Sequence, residues 1–302
     1  MAGIAAGTSE LLKQRGGRSR WVPILRFLRN KPLGAVGIGI VIVFGIMAIV
    51  SPFVVSALGK DILQTNQYAI LNAPNGEAWF GTDQFGRDLF SRTIYGSRIS
   101  MLVGFAVLIF GTTTGSILAV ITAYMGGKVD LITQRIVDAL MAFPRLILAL
   151  VIMSVLGVSM INLVIAISIG TMPNALRTVR SVVLSIKASQ YVDSAKAIGA
   201  GNLRIMRYHV APNCMAPYLV IASVGLGGAI LGEASLSFLG VGSPEQSVTW
   251  GSLLSQDKLR YFALAPWLAI FPGLFLTLLV FGINIFGDAL RDVLDPRLRG
   301  SR

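Results

Sequence analysis

Residues able to do chemistry are few in this chain, and the usual pairings among them are missing. Its 302 residues include one histidine, His209, and one cysteine, Cys214. A paired-histidine zinc site, a multi-cysteine metal site and an internal disulfide are therefore all excluded. A P-loop needs a lysine followed by Ser or Thr, one cation for the phosphates and one hydroxyl for magnesium; none of the seven lysines is so followed. No Gly-x-Ser-x-Gly elbow occurs, and His209 lies in a polar, basic stretch away from any membrane-embedded serine. The chain is expected to be non-catalytic, to hold no metal and to bind no cofactor of its own.

The side chains that remain are charges set in apolar surroundings, together with one polar segment. Glu233 stands in GAILGEASLSFLG. A carboxylate facing lipid is costly, so it must meet protein or water. It either lines a polar pathway or makes a structural hydrogen bond. Asp138 and Arg145 are seven residues apart, on one face of a helix. The rise between them is about 10 Å, too long for a direct ion pair on a regular helix, although Pro144 can kink it. A water-filled inner cavity would satisfy both, and so would snorkelling to the headgroups. The polar segment is Gln190 to Asn213, QYVDSAKAIGAGNLRIMRYHVAPN. Ala195, Ala197, Gly199 and Gly201 form a small-residue face that would let another protein's surface come close, and Pro212 is expected to end the helix.

Composition sets the solvent for these residues. The chain is 54% hydrophobic and 13% charged, against about 25% charged in soluble domains. Its net charge of +12 comes from basic residues beside apolar runs, where positive-inside sorting places them, so membrane lipid rather than nucleic acid is the expected partner. Six membrane spans are expected near Leu33–Ala57, Ile99–Tyr124, Leu131–Leu156, Ile161–Val182, Met215–Leu239 and Leu264–Gly287, each long enough for about 30 Å of hydrocarbon. The third and fourth share a charge-free run, split here at Gly157-Val158-Ser159.

The spans divide the chain into a tail, 1–32, with an interfacial helix over Trp21–Leu28; a membrane domain, 33–290; and a second tail, 291–302. The long loop 59–98, with a turn at Ala73-Pro74-Asn75-Gly76, balances Lys60, Arg87, Arg92 and Arg98 against Asp61, Glu77, Asp83 and Asp88. The loop after the fifth span is balanced too: Lys258 and Arg260 against Glu245 and Asp257. The loop 183–213 is basic, with Lys187, Lys196, Arg204 and Arg207 against Asp193, as is the N-terminal tail. Both termini and loop 183–213 are thus expected in the cytosol of a cell-membrane protein. In the outer loop, GTDQFGRDLFSR is either a docking surface for a soluble partner or a solvated charged turn, with Asp88 able to cap the following helix. Gly111-Thr-Thr-Thr-Gly115 and Gly228-Ala-Ile-Leu-Gly232 allow close helix contact, within the chain or with a partner.

Ordered blocks over about Pro32 to Leu298 resemble the permease subunits of ABC importers for dipeptides, oligopeptides and nickel, of the type with a charged outer loop after the first span. WFGTDQFGRDLFSRTIYGSRIS is similar to that family's outer-loop signature. YVDSAKAIGA followed by HVAPN resembles its coupling motif, which usually opens Glu-Ala-Ala where this chain has Asp193-Ser194-Ala195. GEASLSFLGVG, the later TWG and FGDALRDVLDPRL are also similar to family blocks. The resemblance implies an all-α membrane protein of the type I importer fold, with six spans and a cytosolic coupling helix. It implies a second homologous permease subunit, two cytosolic ATPase subunits that bind the ATP and Mg, and an extracytoplasmic substrate-binding protein. The coupling residues it implies are Asp193, Ser194, Ala195, Lys196, Ala197, Gly199, Gly201, Arg204, His209 and Pro212. Pathway candidates are Glu233, Asp138 and Arg145; binding-protein docking candidates are Asp83, Arg87, Asp88 and Arg92. The alternatives are an ion-gradient-driven secondary transporter, which calls for inverted repeats with acids in both halves, and a simple membrane anchor. No such repeat is visible.

Overall fold

The computed structural model describes residues 31–244 and 247–294. The interfacial helix expected over Trp21–Leu28 lies outside these residues. So does the tail beyond Leu294.

Among the described residues the fold is helical, with one isolated β-bridge, Thr82 to Asp88. Five helices are long and apolar enough to cross a membrane, and six spans result if one bent pair counts as a span. In order these are α1 (Pro32–Ala57), α2 (Leu89–Met125), the bent pair α3 (Gly127–Met141) and α4 (Arg145–Leu156), α5 (Met160–Lys187), the short α6 (Gln190–Ala197), α7 (Asn202–Phe238), the four-residue α8 (Trp250–Leu253), and α9 (Trp267–Leu294).

Two ends can be distinguished. Residues 58–88, α8 and the start of α9 form the loop end; α6, the end of α5 and the start of α7 form the opposite one.

The first helix matches its expected bounds within a residue. Pro32 opens it, where a missing N–H costs nothing. It packs on α9 through glycine: a Cβ on Gly37 would stand 2.6 Å from the Gly282 carbonyl, and one on Gly282 2.6 Å from Ile40. Pro52 lies inside α1, and the Ser51 hydroxyl donates to the Ala48 carbonyl that the proline leaves free.

Helix α2 starts at Leu89, ten residues before the expected Ile99. Hydropathy marks where the lipid begins, but a capped helix continues into water. Asp88 is that cap, accepting from the Ser91 N–H at 2.9 Å and its hydroxyl at 2.6 Å. A π-helical stretch, Leu108–Thr113, interrupts α2. There Gly111 and Gly115 abut Ser168, Thr171 and Met172 of α5. The first small-residue face is thus used within the chain.

The third span is not one straight helix. α3 and α4 meet at 92°, because Pro144 adopts an extended conformation, ψ 131, that a helix cannot contain. Asp138 and Arg145 therefore do not share a helical face. The break at Gly157-Val158-Ser159 holds: α4 ends at Leu156, and Ser159 caps α5 by accepting from the Asn162 N–H at 3.1 Å.

Helices α5 and α9 run to Lys187 and Leu294, past the expected Val182 and Gly287, and contain Pro173 and Pro272. Helix α7 begins at Asn202, far ahead of the expected Met215. Pro212 does not end a helix. It sits just after a second π-helical stretch, Met206–Val210, at the first turn of the α-helical segment that resumes at Ala211. Its missing N–H falls where the ladder is already widened. Pro217 lies further along the same helix.

Buried side chains form three clusters, the first two side by side on different faces of α2 and α7. The first, at the loop end, gathers Phe44, Leu89, Trp250, Leu268 and Leu279. The second holds Val103, Met153, Leu163 and Leu236. The third, at the α6 end, holds Tyr124, Val137, Val183, Val192, Ile205 and Val210.

Candidate functional site

The coupling candidates converge on α6 and the turn that follows it. This helix has two faces. Val192 and Ala195 point inward and are buried in the third cluster. Tyr191, Asp193, Ser194, Lys196 and Ala197 are exposed. Ala195 therefore does not belong to an outward small-residue face. Its small side chain lets α6 lie close on its own bundle.

Gly199 ends the helix. Its φ is +84°, and its N–H donates to the Lys196 carbonyl at 2.9 Å while that of Ala200 reaches Ala195 at 3.0 Å. This is a Schellman stop, which favours glycine because only glycine takes a left-handed backbone without strain. Gly201 is different: its φ is −66°, and an added Cβ would meet nothing within 4 Å.

Beside this turn lies an apolar patch that sequence spacing did not single out. Ile198 is 86% exposed, Leu203 75%, and Tyr208 is also open. Arg204 is exposed and His209 half-buried, its ring tilted against Tyr191 at 6.2 Å. Ahead of α6, Lys187 ties the end of α5 to the end of α2, its ammonium donating to the Tyr124 carbonyl at 2.6 Å. An Asp193–Lys196 pair at 2.9 Å lies along the exposed face.

The outer-loop candidates fold the loop. Asp83 is 1% exposed; it accepts from the Phe85 and Arg87 N–H groups at 2.9 and 3.0 Å and pairs with the Arg87 guanidinium at 2.7 Å. Arg92 is buried beside it and donates to the Ile62 carbonyl at 2.5 Å. Asp88 caps α2 and pairs with Lys60 at 2.8 Å. Asp83 and Arg92 cannot meet a partner without unfolding the turn. The outward groups here include three aromatic rings, Tyr68, Trp79 and Phe85.

Glu233 has no exposed surface even with no partner chain present. It accepts from the Ser100 hydroxyl at 3.0 Å and the Ser237 hydroxyl at 2.8 Å. Ser100 also accepts from the Trp250 N–H at 3.3 Å, and the Trp250 indole donates to the Thr93 carbonyl at 2.9 Å. Gly251 brings α8 against α7, since a Cβ there would stand 2.5 Å from the Ala234 carbonyl. In this conformation Glu233 makes a structural hydrogen-bond cluster joining α2, α7 and α8, and lines no open path. This geometry also gives the Thr-Trp-Gly block its physical meaning.

Asp138 and Arg145 are separated by the bend. Asp138 pairs with Arg177 of α5, a residue not singled out from sequence, and lies 3.9 Å from Arg135. Asp130 makes a two-pronged pair with Arg180, both contacts 2.7 Å. Arg145 packs on α5 beside Gly170. Long sequence separation hid the partners Arg177 and Arg180.

A bundle of five or six apolar spans with a short amphipathic helix rooted at one end defines a multi-pass membrane protein. The chain belongs to the family described as "Binding-protein-dependent transport system inner membrane component", which it matches over residues 111–300. That family supplies the type I membrane domain of ATP-driven importers, and the ion-gradient alternative is not favoured. Among relatives, the dipeptide transport system permease protein DppC of Alkalihalophilus pseudofirmus is 41% identical over 285 residues, 93% of this chain and 91% of that protein. The oligopeptide transport system permease protein OppC of Bacillus subtilis is 36% identical over 298 residues, 99% and 96% of the two chains. The probable D,D-dipeptide transport system permease protein DdpC of Escherichia coli is 34% identical over 299 residues, 99% of each.

Proposed function

We propose that this chain forms half of the path by which an importer moves peptides across the cell membrane, and that separate subunits supply the energy through α6. The path is completed by a second homologous permease. Two cytosolic ATPases carry the ATP and Mg, and an extracytoplasmic protein delivers the cargo. Both termini and α6 face the cytosol, in keeping with the basic residues at that end. This permease is non-catalytic and binds no cofactor.

The observation that carries the reading is the two-sided build of α6. Val192 and Ala195 root it in the bundle, while Ile198 and Leu203 stand out into water beside it. Exposed apolar side chains of that size, flanked by Lys196 and Arg204, suit a groove on a soluble partner. At the opposite end, Tyr68, Trp79 and Phe85 offer aromatic anchors to a binding protein.

Co-expression with the ATPase subunits and the second permease tests this. Ile198→Asp is expected to abolish co-purification of the ATPases while the permease pair still reaches the membrane. Full co-purification with peptide-stimulated ATP hydrolysis intact would show that α6 is not the docking element.

A further inference from the structure

Helix α5 is the least apolar of the five long helices. Its polar residues are not scattered. Asn174, Arg177, Thr178 and Ser181 recur at helical spacing and are exposed in the isolated chain. Arg177 lies ten residues before the end of α5, about 15 Å up the axis, so it falls within hydrocarbon depth if the helix is centred in a core of about 30 Å. A guanidinium at that depth does not face lipid.

Nor does Arg177 reach out toward headgroups, because Asp138 holds it. The pair is half open, at 52% and 45% exposure.

Helices α3 and α4, bent at 92° to each other, leave this face half open. Helix α4 lies on α5 near Gly170, where Arg145 packs. Two turns further along, past the 92° bend, α3 meets α5 again through Val137 and the Asp138–Arg177 and Asp130–Arg180 pairs, and covers Arg177 only in part. The hydroxyls of Thr178 and Ser181 donate to carbonyls of their own helix, at 2.8 and 2.7 Å. The groups left to meet a solute are the Asn174 amide and the unused guanidinium donors. Charge is unequal: Arg135 and Arg177 stand beside one carboxylate, Asp138, and Arg145 lies on α5 at Gly170.

We propose that this face of α5 is a wet, cationic wall of the translocation path, and that Arg177 exchanges Asp138 for a carboxylate of the passing solute. A guanidinium released from one carboxylate is geometrically ready for another. The inference rests on the importer reading above and names the residues that handle an anionic or zwitterionic cargo within it.

The test uses the assembled transporter in inside-out vesicles, with Cys214→Ala as background. Asn174→Cys, Thr178→Cys and Ser181→Cys are treated separately with a sulfonated and a trimethylammonium methanethiosulfonate. Val155→Cys, on an exposed apolar face of α4, is the lipid-side control. The three sites are expected to react at least about tenfold faster than the control, since only a wet thiol ionises. At Asn174→Cys the anionic reagent should outpace the cationic one by roughly fivefold, and Arg177→Gln should erase that preference.

Rates equal to the control would overturn the proposal, showing the face sealed against lipid or the second permease. Fast reaction without charge preference would overturn the carboxylate role. Peptide-stimulated ATP hydrolysis, measured on the same vesicles before substitution, reports the importer reading separately. If it is present while the cysteines stay silent, only the wall assignment falls.

Discussion

Replacing Gly199 by alanine separates two reasons for a glycine at the turn after α6. If the glycine is there for backbone shape, alanine must adopt φ near +84°, at a cost of about 1–2 kcal/mol for an L-residue in the left-handed region. That cost falls on the two Schellman bonds, Gly199 N–H to Lys196 and Ala200 N–H to Ala195, and not on side-chain contacts, since an added Cβ meets nothing within 4 Å. Local opening should therefore rise by about 5- to 30-fold, since each 1.4 kcal/mol is tenfold. Hydrogen exchange of the purified transporter, read over residues 190–205 by mass spectrometry, measures it directly. Asparagine, which tolerates this conformation better, should lose less protection than alanine. Gly201→Ala should change nothing, because φ there is already −66°. If Gly201→Ala lowers protection as much as Gly199→Ala, or if asparagine is worse than alanine, the shape argument fails and a tight partner contact is the better account.

Other substitutions probe the rest of the frame. Glu233→Ala leaves the Ser100 and Ser237 hydroxyls without their acceptor; a loss of about 2–4 kcal/mol is expected, seen as lower yield and a lower thermal midpoint in detergent, with Glu233→Gln milder because one acceptor oxygen survives. The two-pronged Asp130–Arg180 contact is partly open, at 14% and 30% exposure, so a double-mutant cycle of Asp130→Asn with Arg180→Gln should give a coupling of only about 1 kcal/mol; a value near zero would mean that this contact does not hold α3 to α5. Gly37→Val should part α1 from α9 and lower the thermal midpoint, whereas Gly39→Val, facing open space, should leave it unchanged; equal effects would refute the glycine contact.

What could be read from sequence was mostly what lipid imposes. A charge-free run bounded by Pro32 gave α1 almost to the residue, and a split at Gly157-Val158-Ser159 placed the start of α5 within a residue. Asp88 was legible because capping is local. The misplaced features have non-local causes. Helices α2 and α7 outrun the apolar stretch because their polar ends are satisfied by residues distant in sequence, such as Ile62 for Arg92. Pro212 looked like a stop because a widened turn upstream cannot be read from composition. Ala195 looked like part of an outward stripe, since small residues suit a close approach in either direction, and only the packing of Val192 and Ala195 on Val183 and Ile205 decides which. Arg177 went unremarked because its meaning depends on an aspartate 39 residues away.

None of the five long helices is a regular cylinder. Proline interrupts α1, α5, α7 and α9 at Pro52, Pro173, Pro217 and Pro272, and where α2 lacks proline it has a π-helical stretch. Each such place lacks part of the hydrogen-bond ladder and bends at lower cost than the turns around it. Stiffness is therefore unevenly distributed, with compliant joints between firm segments. A push delivered at α6, as the docking role proposed above requires, would be taken up as hinging at these joints, and the firm segments would keep their packing while the bundle changes shape.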